Sequence, residues 1–155
     1  MRRDEDKITD KELIDKVFKS ADVCRIGFAH ENMPYIVTLN FGFNHDREYV
    51  LYFHCAVRGR KLDMMARNNY VCFEIDTDHL LIKGGRACGW SMKSRSVIGY
   101  GYLSVVNDLS ERKFGLDLIM EHYGGPGSYE YDEKMLAETV VLKLEISEIS
   151  ARSTL

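Results

Sequence analysis

The chain opens with a helical pattern of apolar residues. Five apolar side chains recur at intervals of three or four positions, namely Leu13, Ile14, Val17, Phe18 and Ala21. This spacing predicts a helix that lays one apolar side on a neighbouring layer. Thr9 and Glu12 have the spacing of a capping box, which places the start of the helix near Asp10.

From residue 23 the pattern changes to stretches rich in β-branched and aromatic residues, which favour strands. The predicted strands are residues 23–30, 34–44, 48–55, 70–78, 94–106 and 139–147. Short turn-like segments separate the first three, so we expect these strands to form a meander. Apolar and polar residues alternate along residues 139–147, so one face of that strand should meet solvent or a partner.

Helical segments and one long loop interrupt these strands. Gly59 should begin a second helix that ends near Asn68. Asp108 and Glu111 should cap a third helix, which the glycine-rich residues 124–127 end. Its predicted apolar stripe is Phe114, Leu118, Ile119 and His122. A helical turn is expected at residues 132–138. The glycine-containing residues 79–89 are predicted as a loop, and loops of this length are often functional.

The order of helices and strands does not alternate as it would in a doubly wound sheet. The predicted fold is therefore mainly β, a β-barrel with flanking helices, in which six antiparallel strands close or nearly close. No repeat, linker or low-complexity segment divides the sequence. We therefore expect a single domain over residues 1–155.

Composition narrows the class of protein. Hydrophobic residues make up 45% and charged residues 29% of the 155 positions, which is typical of a folded globular chain. With 21 Lys and Arg against 24 Asp and Glu, the formal net charge is -3, so we expect no nucleic-acid partner. No apolar stretch approaches the ~20 residues that span a membrane. The four cysteines form no Cys-x-x-Cys pair, which favours a cytoplasmic protein without disulfides.

Residues 54–61, His-Cys-Ala-Val-Arg-Gly-Arg-Lys, are the most informative segment for function. They lead from a predicted strand into a predicted helix, and Arg58, Arg60 and Lys61 place three cations at the helix start. Cations are disfavoured there because the N-terminal end of the helix dipole is positive. A bound phosphate would reverse this, since free amides and basic side chains can hold it together. The alternative is a solvated basic turn.

Other features are less specific. One face of residues 34–44 carries Thr38, Asn40 and Gly42, which either leave room for a planar ligand or face solvent. Trp90, the single tryptophan, either plugs a core edge or stacks on a ligand. The five histidines show no metal-ligand spacing, so we expect no metal site.

Several short segments, taken in their order along the chain, resemble a known family. They are Cys-Arg-Ile-Gly-Phe at 24–28, Pro-Tyr-Ile-Val-Thr-Leu-Asn-Phe-Gly at 34–42, Leu-Tyr-Phe-His at 51–54, Gly-Arg-Lys at 59–61, Val-Cys-Phe-Glu-Ile-Asp at 71–76 and Ser-Val-Ile-Gly-Tyr-Gly at 96–101. The chain resembles the flavin-binding split-barrel superfamily of pyridoxamine 5′-phosphate oxidase, and within it the nitroimidazole-resistance (Nim) proteins. The resemblance extends from about Ile8 to Ile149.

This resemblance implies a homodimer that binds FMN, with FAD as the alternative, in a groove between two barrels. The matching residues whose backbone would line the flavin ring are Val37, Thr38, Leu39 and Asn40. Those that would hold its phosphate are His54, Cys55, Arg60 and Lys61. Trp90 and Ser94 would approach from the loop, from the same or the partner subunit. The family usually has an aromatic residue at the position of Ser94, so one aromatic contact is missing here.

The resemblance also implies an activity. It favours an FMN-dependent oxidoreductase that reduces nitro-aromatic or other electron-poor small molecules, with NADH or NADPH as the candidate electron donor. The alternative is a non-catalytic flavin- or haem-binding split-barrel protein. The chain lacks the C-terminal Arg-Leu-x-Pro segment of the true oxidases, so pyridoxamine oxidation is not expected.

Two further hypotheses concern residues 48–55. Tyr49, Leu51 and Phe53 alternate with Val50 and Tyr52, so both faces of this strand are apolar, and one face should need a second barrel. His54 is the candidate catalytic residue, because it lies between an apolar strand and the predicted phosphate site. Imidazole can deliver a proton near neutral pH. The alternative is that His54 orients the phosphate or packs at the barrel rim.

Overall fold

The computed structural model describes residues 7–8 and 11–155, which are organised by one antiparallel sheet. Its strands are β1 (Lys7–Ile8), β2 (Cys24–His30), β3 (Met33–Leu39), β4 (Gly42–Asn44), β5 (Val50–Ala56), β6 (Tyr70–Ile82), β7 (Ser91–Val105) and β8 (Thr139–Ser153). Their order is β3-β2-β6-β7-β8-β5-β4, and β1 pairs with β8. The predicted mainly β antiparallel fold with flanking helices is confirmed. The described residues form eight strands and not six, because one predicted strand is divided and the pattern does not predict β1.

The divided strand is the one predicted at residues 34–44. Among the described strands, β3 pairs with β2 alone and β4 with β5 alone. Asn40 and Phe41 connect β3 to β4, so here the chain crosses from one edge of the sheet to the other. Val37 and Phe43, from the two edges, pack against the same core. The sheet therefore curls into a barrel that is split between β3 and β4, and the predicted meander is wrong.

The barrel interior is filled by aromatic side chains from several elements. Five fully buried ones are Phe18, Phe28, Phe41, Phe53 and Phe73. Helix α1 (Lys11–Ser20) buries three apolar side chains against the barrel, which confirms the predicted apolar side of this helix. The predicted cap residue Thr9 and the predicted start near Asp10 lie outside the described residues.

Helix α3 (Leu109–Gly124) lies outside the barrel, against β4, β5 and β8. Asp108 caps it as predicted, since its carboxylate accepts a hydrogen bond from the Glu111 amide at 2.9 Å. The buried side of α3 consists of Gly115, Leu116 and Ile119. Phe114 is 42% exposed, so the predicted stripe is only partly correct.

Helix α3 covers the outer face of β5 around Tyr52 and leaves His54, on the same face, exposed. Tyr52 of β5 is buried, and its hydroxyl donates a hydrogen bond to Glu111 at 3.1 Å. A Cβ at Gly115 would overlap the Tyr52 ring, and a Cβ at Gly42 would overlap the backbone of α3. The face that the sequence assigns to a second barrel is therefore occupied by α3, and that reason for a dimer is wrong. Gly42 likewise leaves no room for a planar ligand.

β6 and β7 extend past their predicted ends and form a hairpin arm, defined here as residues 78–95. Residues 79–82 belong to β6, so the predicted loop shrinks to residues 83–90, with a 3₁₀ turn at Ala87–Gly89. The arm begins at a bulge between Thr77 and Leu80. It exposes apolar side chains, including Leu80, Trp90 and Met92, each about half exposed.

The remaining elements agree more closely with the sequence. Helix α4 (Glu133–Glu138) matches the predicted helical turn, and β8 continues to Ser153, past its predicted end at residue 147. In the described ranges, none of the helices combines the length and apolar character that crossing a bilayer requires.

Candidate functional site

Three residues separate helix α2 (Arg60–Arg67) from β5, at the place predicted for an anion site. Gly59 precedes the helix and supplies no side-chain cap. Its carbonyl accepts hydrogen bonds from the amides of Leu62 at 3.1 Å and Asp63 at 3.3 Å. The two preceding amides, those of Arg60 and Lys61, stand at the start of the helix and donate no backbone hydrogen bond to another described residue. We call residues 59–61 the α2 cradle.

The two basic side chains of the α2 cradle reach different strands. The guanidinium carbon of Arg60 lies 4.6 Å from the centre of the Tyr35 ring in β3, a cation–π arrangement. The charge of Lys61 affects the thiol of Cys55 in β5. Burial raises the pKa of this thiol, and the positive charge of Lys61 partly offsets the rise. The α2 cradle therefore lies between β3 and the end of β5.

The predicted ligand residues of β3, and Asn40 directly after it, point in two directions. Val37 and Leu39 point inward and pack against the core. Thr38 and Asn40 are exposed, and the Asn40 amide donates a hydrogen bond to the Asp22 carbonyl at 3.4 Å. Because β3 is an edge strand, half of its backbone groups face away from β2. Any contact of Val37 or Leu39 with an outer ligand would use these backbone groups.

A cluster of charges lies beside Thr38 on the outer face of the sheet. Thr38 stands opposite Arg25 of β2. The Arg25 guanidinium contacts Asp76 at 2.8 Å and Glu74 at 3.2 Å. Burial raises the pKa of Glu74, and the neighbouring Asp76 charge adds to this rise. No sequence motif indicates this cluster, because its members come from different strands.

His54 and Cys55 point to opposite faces of β5. The His54 side chain is exposed and forms no hydrogen bond with another described residue. Cys55 is only 8% exposed and belongs to the core. His54 can therefore meet a ligand on the outer surface through its imidazole, whereas Cys55 can contribute only backbone groups.

Trp90 and Ser94 belong to the hairpin arm. Trp90 is 50% exposed, and the Lys83 ammonium lies 5.9 Å from its ring centre. The amide of Ser94 donates a hydrogen bond to the Thr154 hydroxyl at 2.9 Å. Among the described residues, no hydrogen bond or ion pair joins this arm to the α2 cradle. Within a single chain, Arg60 thus meets β3 at the Tyr35 ring and the charge of Lys61 reaches Cys55 of β5, whereas Trp90 and Ser94 have no such link to the α2 cradle among the described residues.

A pocket of about 400 Å³ adjoins the α2 cradle on the side of the β2–β3 turn. Its lining includes His30, Glu31, Met33, Arg60, Asp63 and Arg67. We call it the α2 pocket. No local sequence pattern indicates this pocket, because the turn and the helix are separated by almost thirty positions along the chain. The seven-residue spacing of Arg60 and Arg67, which places both on one side of a helix, is the signal that could have pointed to it.

The described histidines, cysteines and carboxylates do not cluster in threes as metal ligands would. His122 packs against the Phe41 ring at a centroid distance of 4.6 Å, and its Nε2 lies 2.7 Å from the Ala21 carbonyl. His79 contacts Asp76 at 2.9 Å. Both histidines therefore have structural partners within the protein.

Residues 10–153 match the family model for pyridoxamine 5′-phosphate oxidase, which is nearly the whole chain. The chain belongs to the pyridoxamine 5′-phosphate oxidase-like family. The resemblance read from the sequence segments is thereby confirmed. No curated protein matched the chain.

Solved structures of similar proteins agree with this membership. A candidate 5-nitroimidazole antibiotic resistance protein of Bacteroides thetaiotaomicron is 32% identical, with a TM-score of 0.81 over 94% of this chain and 84% of that one. An FAD- and haem-binding protein of Mycobacterium smegmatis is 18% identical, with a TM-score of 0.82 over 96% and 73%. An FAD-binding protein of the same organism is 22% identical, with a TM-score of 0.61 over 94% and 95%. At these last two identities the similarity concerns the fold alone.

Proposed function

We propose that this member of the pyridoxamine 5′-phosphate oxidase-like family binds a flavin, FMN in the first instance, with the phosphate in the α2 cradle. With the flavin bound, the protein would be an oxidoreductase that reduces nitro-aromatic or other electron-poor small molecules, with NADH or NADPH as the electron donor. The observation that carries the proposal is the α2 cradle, which sets two cations at a helix N-terminus, one of them 4.6 Å from the centre of the Tyr35 ring of β3. The nitroimidazole-resistance relative and the FAD-binding neighbours support it.

The residues of the α2 cradle fit a phosphate group. Neither Arg60 nor Lys61 forms an ion pair with another described residue, so both charges are available. The guanidinium of Arg60 packs on the Tyr35 ring, which holds it next to β3. Charge-assisted hydrogen bonds from such groups are about twice as strong as neutral ones. A phosphate would also remove the unfavourable interaction between these cations and the helix dipole.

The chain and the flavin have different tasks in this proposal. A bound flavin supplies the two-electron redox chemistry, which amino-acid side chains do not provide. The α2 cradle binds the phosphate, and the backbone edge of β3 orients the ring. His54, exposed on β5 next to the cradle segment, delivers a proton to the reduced substrate.

The proposal is tested with the purified protein. It should be yellow, lose that colour when NADH or NADPH is added without oxygen, and regain it when a nitro-aromatic acceptor follows. A flavin that neither nucleotide reduces would indicate a binding protein without turnover. A haem spectrum would support the haem-binding alternative, and a colourless protein that takes up neither group would contradict the proposal.

We also propose that the protein is a homodimer. The hairpin arm supports this, because its exposed apolar side chains would be covered by a second copy. In such a dimer, Trp90 and Ser94 would approach the α2 cradle of the partner. An obligate interface of this kind buries upwards of about 2,000 Å². Light scattering at micromolar concentration should give twice the 17.9 kDa chain mass, and a stable monomer would contradict the dimer.

A further inference from the structure

A pocket of about 360 Å³ lies between the C-terminal ends of α1 and α3, beside β4. Its lining includes Lys19, Phe43, Leu118, Glu121 and His122. We call it the α3 pocket. β4 pairs with the first residues of β5, whereas the α2 cradle follows the last residue of β5. The α3 pocket is therefore separate from the phosphate site of the proposed function.

The apolar lining of the α3 pocket is held in place by the core. Phe43 packs against the barrel interior, where its ring meets the Phe18 ring edge-on at a centroid distance of 5.4 Å. Leu118 packs against the buried residues beneath α3. The His122 ring stands edge-on to Phe43 at a centroid distance of 6.1 Å. Such a preformed aromatic surface suits a ligand ring, because little conformational entropy is lost on binding.

Two acceptor groups of the α3 pocket have no partner within the described part of the chain. Nε2 of His122 lies 2.7 Å from the Ala21 carbonyl, which can only accept, so Nε2 carries the proton in the neutral ring. Nδ1 is then an acceptor, and it forms no hydrogen bond with another described residue. The exposed carboxylate of Glu121 forms no ion pair with a described residue. The α3 side of the pocket therefore offers two free acceptors.

The position of Glu121 favours a bound cation. Glu121 stands in the last turn of α3, where its carbonyl accepts a hydrogen bond from the Gly125 amide at 3.0 Å. A negative side chain is disfavoured there, because the C-terminal end of the helix dipole is also negative. A ligand ammonium would remove this unfavourable interaction. It brings three hydrogen-bond donors, and it is attracted to the face of an aromatic ring such as that of Phe43.

The α1 side of the pocket has the opposite charge. Lys19 lies in the last turn of α1, is exposed, and forms no ion pair with another described residue. Lys19 and Glu121 together carry no net charge, so a ligand with one kind of charge would be attracted by one of them and repelled by the other. A ligand that carries an anionic and a cationic group can pair with both.

We propose that the α3 pocket binds a small aromatic zwitterion, the chemistry of an aromatic amino acid. Glu121 and Nδ1 of His122 accept hydrogen bonds from its ammonium, and Lys19 pairs with its carboxylate. Its ring lies against Phe43 and Leu118. The pocket volume of about 360 Å³ lies within the range of small-molecule sites. This site shares no residue with the α2 cradle, so the inference goes beyond the proposed function and does not depend on a flavin.

The test is an amide NMR titration of the full-length protein, with and without flavin, using three related compounds. L-phenylalanine carries both charges, phenethylamine carries only the ammonium, and hydrocinnamate carries only the carboxylate. Phenylalanine should bind with a dissociation constant of about 1 mM or less, and about tenfold more tightly than either of the other compounds. The amides of Phe43 and Leu118 should shift, with the same affinity in both forms of the protein.

Variants at the two charged residues assign the roles. Glu121→Gln should weaken phenylalanine binding by about tenfold and abolish its advantage over hydrocinnamate. Lys19→Gln should weaken it by the same factor and abolish its advantage over phenethylamine. This factor is the low end for a lost charge-assisted hydrogen bond, because both side chains are exposed. Glu138→Gln and Lys113→Gln, the same changes at exposed residues outside the pocket lining, should leave the affinity unchanged.

Three results would overturn the inference. The first is the absence of saturable shifts at Phe43 and Leu118 with phenylalanine. The second is a single-charge compound that binds the parent as tightly as phenylalanine. The third is an affinity that the two pocket variants leave unchanged, which would describe a solvated cleft. These results leave the proposed function untouched, and a protein that binds no flavin would leave this inference intact.

Discussion

Replacing Arg60 and Lys61 together with alanine should weaken FMN binding by roughly 10²- to 10⁴-fold. Each side chain is expected to make a charge-assisted hydrogen bond to the phosphate, and each such bond contributes about 1.5 to 3 kcal/mol. Riboflavin lacks the phosphate, so the parent should bind it far more weakly than FMN. The double variant should bind FMN and riboflavin with similar affinity, because its advantage for the phosphate is lost. Fluorescence titration of both ligands measures this difference directly.

A matched control separates the α2 cradle from the general charge of the protein. Arg47→Ala combined with Lys113→Ala removes the same two charges from exposed positions in the β4–β5 turn and on α3. This control should bind FMN as the parent does. If the Arg60 and Lys61 double variant also titrates FMN as tightly as the parent, the phosphate is bound elsewhere and the α2 cradle is a solvated basic turn.

The local signals in the sequence predict the helix ends well. Gly59 and Asn68 flank α2, and Asp108 caps α3, as their residue types indicate. Such signals succeed because a cap depends on hydrogen bonds between residues a few positions apart. The α2 cradle could be predicted for the same reason, since its cations and its helix amides are contiguous in the chain.

Pairing between distant strands could not be read in the same way. Tyr35, Val37, Leu39, Phe41 and Phe43 alternate without interruption, and all five contribute to the core. The alternation continues through the crossing from β3 to β4, so the sequence shows one strand where the sheet has two edges. The alternation of apolar and polar side chains indicates which face of a strand is buried, but it does not indicate which strand pairs with it.

The small residues of the sequence also permit more than one structural interpretation. Gly42 was compatible with a planar ligand, but it accommodates the backbone of α3. A missing side chain indicates a close approach without identifying what approaches. The α2 pocket escaped prediction for a related reason, since Glu31 meets Asp63 and Arg67 only after β2, β3 and α2 have packed together.

His54→Gln should lower the turnover of the reductase by about 10²- to 10⁴-fold while FMN affinity stays within twofold, the range expected when a general acid is removed. Glutamine keeps a hydrogen-bond donor and a similar length, but it cannot transfer a proton. The exposed imidazole of His54 is free to reach an outer substrate, whereas the thiol of the adjacent Cys55 is buried in the core. Steady-state kinetics and a flavin titration on the same preparation measure both quantities.

The alternative role of His54 gives a different pattern. If the imidazole orients the phosphate, His54→Gln should lose FMN affinity first, and turnover should recover when excess FMN saturates the variant. His45→Gln is the matched control, because His45 lies in the turn that precedes β5, at the opposite end of the strand from His54. A His54→Gln protein that keeps both its flavin and its full reductase rate would remove the catalytic assignment. Proton delivery would then come from solvent, and the flavin would be the reactive group without help from this side chain.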